Sequence, residues 1–60
     1  MRGGAWYLNR RDYDIPELRD WCEENLTPDS WIINENMSMG VFEVCVGIDV
    51  EVVGFKLRWL

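Results

Sequence analysis

The closing stretch Asp49-Val50-Glu51-Val52-Val53-Gly54-Phe55-Lys56-Leu57-Arg58-Trp59-Leu60 decides the fold of this chain. β-Branched Val50, Val52 and Val53 favour an extended strand, and Val53, Phe55, Leu57 and Trp59 alternate as one strand face would. A helix capped by Asp49 accounts for the same residues differently. It gathers Val50, Val53, Leu57 and Leu60 on one stripe and sets Glu51 and Arg58 together on the opposite side. Gly54 costs such a helix about 1 kcal/mol relative to Ala. Local propensity prefers the strand. The choice matters, because one reading gives four strands and one helix and the other three strands and two helices.

Working back from this stretch, Val41 to Ile48 reads as a strand with Phe42, Val44, Val46 and Ile48 on one face. Trp31, Ile32 and Ile33 form a shorter strand, and the two make a hairpin. The loop between them, Asn34-Glu35-Asn36-Met37-Ser38-Met39-Gly40, is built of turn formers, and Gly40 is free to take a positive φ where the later strand begins. Upstream, Asp14-Ile15-Pro16-Glu17 carries helix-start chemistry. The Asp14 carboxylate can accept an orphan amide proton, Glu17 follows three residues later as in a capping box, and Pro16 fits the first turn. Ile15, Leu18, Trp21, Cys22 and Leu26 then recur at spacings of three and four on one apolar stripe, with Glu17, Arg19, Asp20, Glu23 and Glu24 largely outside it. Thr27-Pro28-Asp29-Ser30 ends this helix, since Pro28 disfavours helical geometry at Thr27. Ala5 to Asn9, apolar and aromatic before the polar Asn9-Arg10-Arg11-Asp12 turn, is a first strand.

Sixty residues allow one small domain, residues 1–60, whose core is short of free energy. With 48 % apolar residues and four Trp, the chain is too apolar for intrinsic disorder, and no apolar run approaches the ~20 residues that span a bilayer. After Met1 and Arg2 no hydrophobic run is long enough for a secretory signal, so a cytoplasmic location is expected, with no membrane partner. In such a compartment Cys22 and Cys45 are expected as free thiols.

Six Lys/Arg against eleven Asp/Glu leave a net charge of −5, and every acid lies between Asp12 and Glu51 with Arg19 as the lone cation among them. Such a field repels phosphate backbones and steers the chain toward basic protein surfaces, including those that normally hold nucleic acid. Glu23 and Glu24 also sit in the last turn of their helix, where the dipole favours cations. Arg2, Arg10, Arg11, Lys56 and Arg58 beside Trp6, Tyr7 and Trp59 would form a nucleic-acid surface if the chain ends met, against the net charge.

Most catalytic chemistry lacks its residues. Without His, and with two separated Cys, neither a common zinc site nor a Ser-His-Asp or Cys-His nucleophile can be assembled. Gly3-Gly4, Gly40, Gly47 and Gly54 match neither a P-loop nor a dinucleotide fingerprint. Neither enzyme activity nor a cofactor is expected. The aromatic residues carry more signal: a two-layer domain this small cannot hide all of them, and exposed Trp and Tyr with Arg nearby have the composition of interface hot spots. A second copy of the chain would relieve the same shortage of core.

Phe55-Lys56-Leu57-Arg58-Trp59, preceded by acidic Asp49 and Glu51, resembles the tail of small uncharacterised proteins of tailed phages, cyanophage-like ones among them. Trp21-Cys22-Glu23-Glu24-Asn25-Leu26 is similar to the first helix of those proteins. The resemblance implies the order strand, helix, strand, strand, helix, with Asp49 opening the last helix and Phe55, Leu57 and Trp59 packing it on the sheet. The expected fold is therefore α+β, a three-stranded antiparallel sheet with two helices on one face; a fourth strand in place of the last helix is the alternative. The expected function is that of a non-enzymatic phage accessory protein that binds and modulates a host protein. Glu17, Asp20 and Glu24 would supply its electrostatic contacts, and Met37 and Met39 at the loop tip its apolar ones. A virion or self-assembling component, and a nucleic-acid binder using the basic chain ends, are the rival readings.

Overall fold

A computed structural model describes residues 3–36 and 39–60. Its elements follow the order strand β1 (Gly4–Asn9), a short 3-10 turn (Arg10–Asp12), helix α1 (Ile15–Asn25), strand β2 (Trp31–Asn34), strand β3 (Val41–Val46) and helix α2 (Asp49–Trp59). The sheet is antiparallel in the order β1-β3-β2. β3 is central, with Ala5 and Ile32 on either side of Cys45 and Trp6 and Ile33 on either side of Val44.

Alternation along β3 fixes which face is covered. Phe42, Val44 and Val46 are buried while Val41, Glu43 and Cys45 between them are not, so one sheet face meets both helices and the other meets water. The core joins Phe42, Val44, Val46 and Ile33 of the sheet to Leu18, Cys22 and Leu26 of the first helical segment and Phe55 of α2. These first-helix residues belong to the stripe read from the sequence, and Ile15 and Trp21 complete it as half-buried flanks. The fold is thus α+β with two helices on one face of a three-stranded sheet.

Residues 49–60 resolve as a helix because their core face is aromatic rather than aliphatic. Phe55 is fully buried, Val52 and Trp59 pack beside it at helical spacing, and the Phe55 ring stacks on Trp6 with centroids 4.9 Å apart. Trp21 meets Phe55 and Trp59 edge-on, at 6.1 Å in each case. Burying one Phe stabilises by roughly 1.5–3 kcal/mol, and each well-placed aromatic pair adds about 0.5–1.5 kcal/mol, enough together to offset Gly54. Gly4 makes room for this stack: a Cβ there would lie 2.7 Å from the Trp6 ring.

Several local expectations are corrected. Leu57 does not pack on the sheet; it is 83 % exposed, and Val50, Val53 and Leu60 of the same stripe also face solvent. Periodicity alone cannot rank this stripe against the Phe55 face, because both repeat at helical spacing; ring volume decides. β3 ends at Val46 rather than Ile48: the Gly47 N–H still reaches the Ser30 carbonyl at 2.7 Å, one step further along the β2 register, but Ile48 is already the N-cap of α2. Ile48, not Asp49, is the N-cap of α2: its carbonyl accepts the Glu51 and Val52 amides, and Asp49 is the first helical residue. Asp14 does occupy the N-cap of α1, but its carboxylate makes no cap bond and its main-chain carbonyl takes the Leu18 amide at 2.9 Å. Gly40 takes φ 73° as expected, and Met39 before it (φ 67°) and Asp29 (φ 69°) also enter the left-handed region.

Glu51 ties α2 to the chain leaving α1. Its carboxylate accepts the Thr27 hydroxyl at 2.7 Å, the Thr27 amide at 3.0 Å and the Ser30 hydroxyl at 3.1 Å. The Thr27 hydroxyl foremost, helped by the amide and by Ser30, holds this carboxyl below its ordinary pKa. A depressed carboxylate stabilises the fold above its unfolded pKa and loses that contribution as pH falls through its folded value.

Phe55→Ala should cost about 3–5 kcal/mol in urea unfolding, a large share of what a domain this size possesses, whereas Leu57→Ala should stay within about 0.5 kcal/mol. Equal effects would contradict the orientation of α2. Glu51→Gln should unfold at lower urea than the parent at neutral pH, and the gap should close as pH drops through the carboxylate range; a constant gap would mean that the charge on Glu51 contributes nothing.

Candidate functional site

Glu17, Asp20 and Glu24 are exposed, and their spacing of three and four places them together on the solvent side of α1, opposite Leu18 and Cys22. Among the described residues none of them is in an ion pair. The salt bridges that do form both end on Glu35, from Arg19 at 2.8 Å and Arg10 at 3.7 Å. Arg10 also donates to the Glu35 carbonyl. Arg19, the one base of α1, is thereby paired with the β2–β3 loop rather than with an acid of its own helix. No base occupies the last turn of α1, so the negative end of the helix dipole adds to Glu23 and Glu24.

The loop tip lies close to one end of this surface. Met39 is 91 % exposed, and the Gly40 carbonyl beyond it accepts the Arg10 amide at 2.9 Å, anchoring the tip to the turn after β1. Arg10 lines two shallow open clefts, one shared with Tyr13, Arg19, Asp20 and Glu35, the other with Asn9, Arg11 and Met39. Asp20 and Met39 therefore flank the same arginine. Glu17 and Glu24 share the helix face with Asp20 but line neither cleft. Met37, expected beside Met39, lies outside the described residues.

The basic chain ends are brought near one another without forming a stacking platform. The Tyr13 hydroxyl donates to the Trp59 carbonyl at 3.3 Å, which places the end of α2 beside the turn that follows β1. Trp6 and Trp59 are both half-buried against the core, which counts against the rival reading that uses their faces as a nucleic-acid surface. Arg58 lies over its neighbour Trp59, 4.2 Å from the ring centroid, and Arg10 is held by Glu35. Tyr7, 65 % exposed, belongs to the uncovered face of the sheet. Arg2 lies outside the described residues.

Two apolar surfaces are not assigned by the sequence. Ile32 (60 % exposed) stands on the uncovered sheet face in one row with Cys45 and Ala5, and Tyr7 stands on the same face in the adjoining row, opposite Glu43. Alternation in β1 carries the signal for Tyr7; the run Trp31-Ile32-Ile33 does not alternate, so Ile32 gives none. The α2 stripe is visible as a stripe in the sequence, which does not say that it faces away from the sheet.

The thiols are free and chemically distinct. Cys22 is buried at the helix–sheet contact, and that burial pushes its thiol up to about 11 against a smaller opposing pull from Arg19. Cys45, on the other face of the sheet, is also raised, by burial and then by Glu43. Among the described residues, no three His, Cys, Asp or Glu side chains converge as a metal site. The Trp59 indole N–H is buried without a partner among them, at a cost of about 1–3 kcal/mol. No helix among them is long and apolar enough to cross a membrane.

Comparison with protein-family models, with curated proteins and with solved structures finds no match to this chain.

A disulfide reagent at pH 8 should modify Cys45 in the native protein and reach Cys22 only at the rate of unfolding. Two thiols reacting at one rate under native conditions would contradict the placement of Cys22 in the core.

Proposed function

We propose that this chain is a non-enzymatic binding protein that docks on a basic surface of another protein and modulates it. The observation that carries the reading is the set of exposed carboxylates on α1, Glu17, Asp20 and Glu24, which among the described residues form no ion pair while Arg10 and Arg19 converge on Glu35. Held on a rigid helix at net charge −5, these acids steer a basic partner into contact and fix its orientation, while Met39 at the adjoining tip adds adaptable apolar area. The resemblance to tailed-phage proteins makes the partner a host protein and the host cytoplasm the place of action. A partner that normally grips nucleic acid fits this chemistry best, the acidic face competing for its phosphate sites. The rival reading as a nucleic-acid binder has less support, because the Trp6 and Trp59 faces it needs are packed on the core and Arg10 is already paired.

The test is quantitative capture from host extract by the intact chain and by an Asp20→Lys/Glu24→Lys/Met39→Ser variant. A protein retained by the first should bind the variant at least about tenfold more weakly and be released from the parent by moderate salt and by DNA. Equal retention by parent and variant would overturn the reading.

A further inference from the structure

We propose that the outward face of α2 binds a second copy of the same chain as an antiparallel, two-fold helix pair. The face consists of Val50 (75 % exposed), Val53 (57 %), Leu57 (83 %) and Leu60 (56 %). Their spacing of three, four and three residues is that of a helix–helix seam, and it runs along the side of α2 opposite Phe55. Gly54 borders the seam beside Val53 near the middle of the helix, and a Cβ built there would meet nothing within 4 Å. Two helices crossing at the level of Val53 can approach closely on that edge. A stripe of this kind, left in water by a domain already short of core, is the surface that association would cover.

Charge selects the occupant. Asp49 and Lys56 stand seven residues, two helical turns, apart, so they share one flank of the seam at its opposite ends. Both are exposed, and among the described residues neither is in an ion pair. In an antiparallel two-fold pair each Asp49 meets Lys56 of the second copy, the contact occurs twice, and the helix dipoles oppose. A parallel pair would set Asp49 against Asp49 and Lys56 against Lys56. Glu51 and Arg58 lie on the side of α2 away from the seam, where Glu51 is held by Thr27 and Ser30 and Arg58 lies over Trp59, which leaves the acid–base match to Asp49 and Lys56. A flank carrying one acid at its start and one base at its end is complementary to its own reverse.

The seam offers roughly half of the ~800 Å² that each partner buries in a standard interface, which makes a dimer that dissociates on dilution through the micromolar range. This proposal uses neither the α1 acids nor Met39, and so stands independently of the docking reading above.

Sedimentation equilibrium of the full chain across about three decades of concentration, from low micromolar to millimolar, tests it. The mass should rise from the 7.1 kDa of one chain toward that of two. Leu57→Asp should remain monomeric throughout with an unchanged circular dichroism spectrum, as its exposure allows. Asp49→Lys and Lys56→Asp should each weaken the dimer roughly fivefold, and the double exchange should recover most of the loss. A monomer at every concentration, a dimer that survives Leu57→Asp, or a double exchange no tighter than its single parents would each overturn the proposal.

Discussion

The structure depends on the insertion of Phe55 between Trp6 and Trp21. β1 supplies the ring on which it stacks, α1 the ring whose edge it meets, and Phe42 and Val44 of the central strand belong to the buried cluster that encloses it. The sheet-to-α2 and α1-to-α2 contacts both pass through this aromatic group. In a chain of sixty residues the described residues form one buried cluster, and it carries the load alone.

Once Phe55 is inward, the remainder of α2 has no choice of orientation. Glu51 comes to the chain after α1 and bonds Thr27 and Ser30, Trp59 reaches Tyr13, and Val50, Val53 and Leu57 are carried outward. The exposed stripe is therefore a consequence of the core rather than an independent feature, and the same rotation that fills the interior creates the surface proposed to pair with a second copy. α1 is constrained in a similar way: burying Leu18 and Cys22 turns Glu17, Asp20 and Glu24 to solvent, and with Arg19 paired to Glu35 they form no ion pair among the described residues. Distinct faces, one acidic and one apolar, are thus exposed on a single small scaffold.

Much of this is legible in the residues. The first helix can be read because its apolar stripe, Pro16 at the start and Pro28 past the end agree with one another, and the third strand because Phe42, Val44 and Val46 alternate without interruption. Gly40 marks its left-handed turn. The final helix is ambiguous for a physical reason. Its valines favour strands, its glycine weakens helices and its apolar residues satisfy both periods, so local preference does not choose between them; the aromatic contacts that settle the choice come from residues some thirty to fifty positions earlier. The same gap explains the misplaced Leu57. Of the candidate site, the acids of α1 are visible from helical spacing, but Glu35 as the common partner of Arg10 and Arg19 is not, since it joins a loop to two distant segments.

The insertion of Phe55 is tested most directly by a nuclear Overhauser measurement between ring protons of Phe55 and Trp6. Strong cross-peaks between these rings are predicted, at the 4.9 Å centroid separation, together with sequential amide contacts through residues 49–59. Cross-strand contacts from residues 49–60 to β1 or β2, with no Phe55–Trp6 cross-peak, would contradict the insertion and make the closing segment a fourth strand.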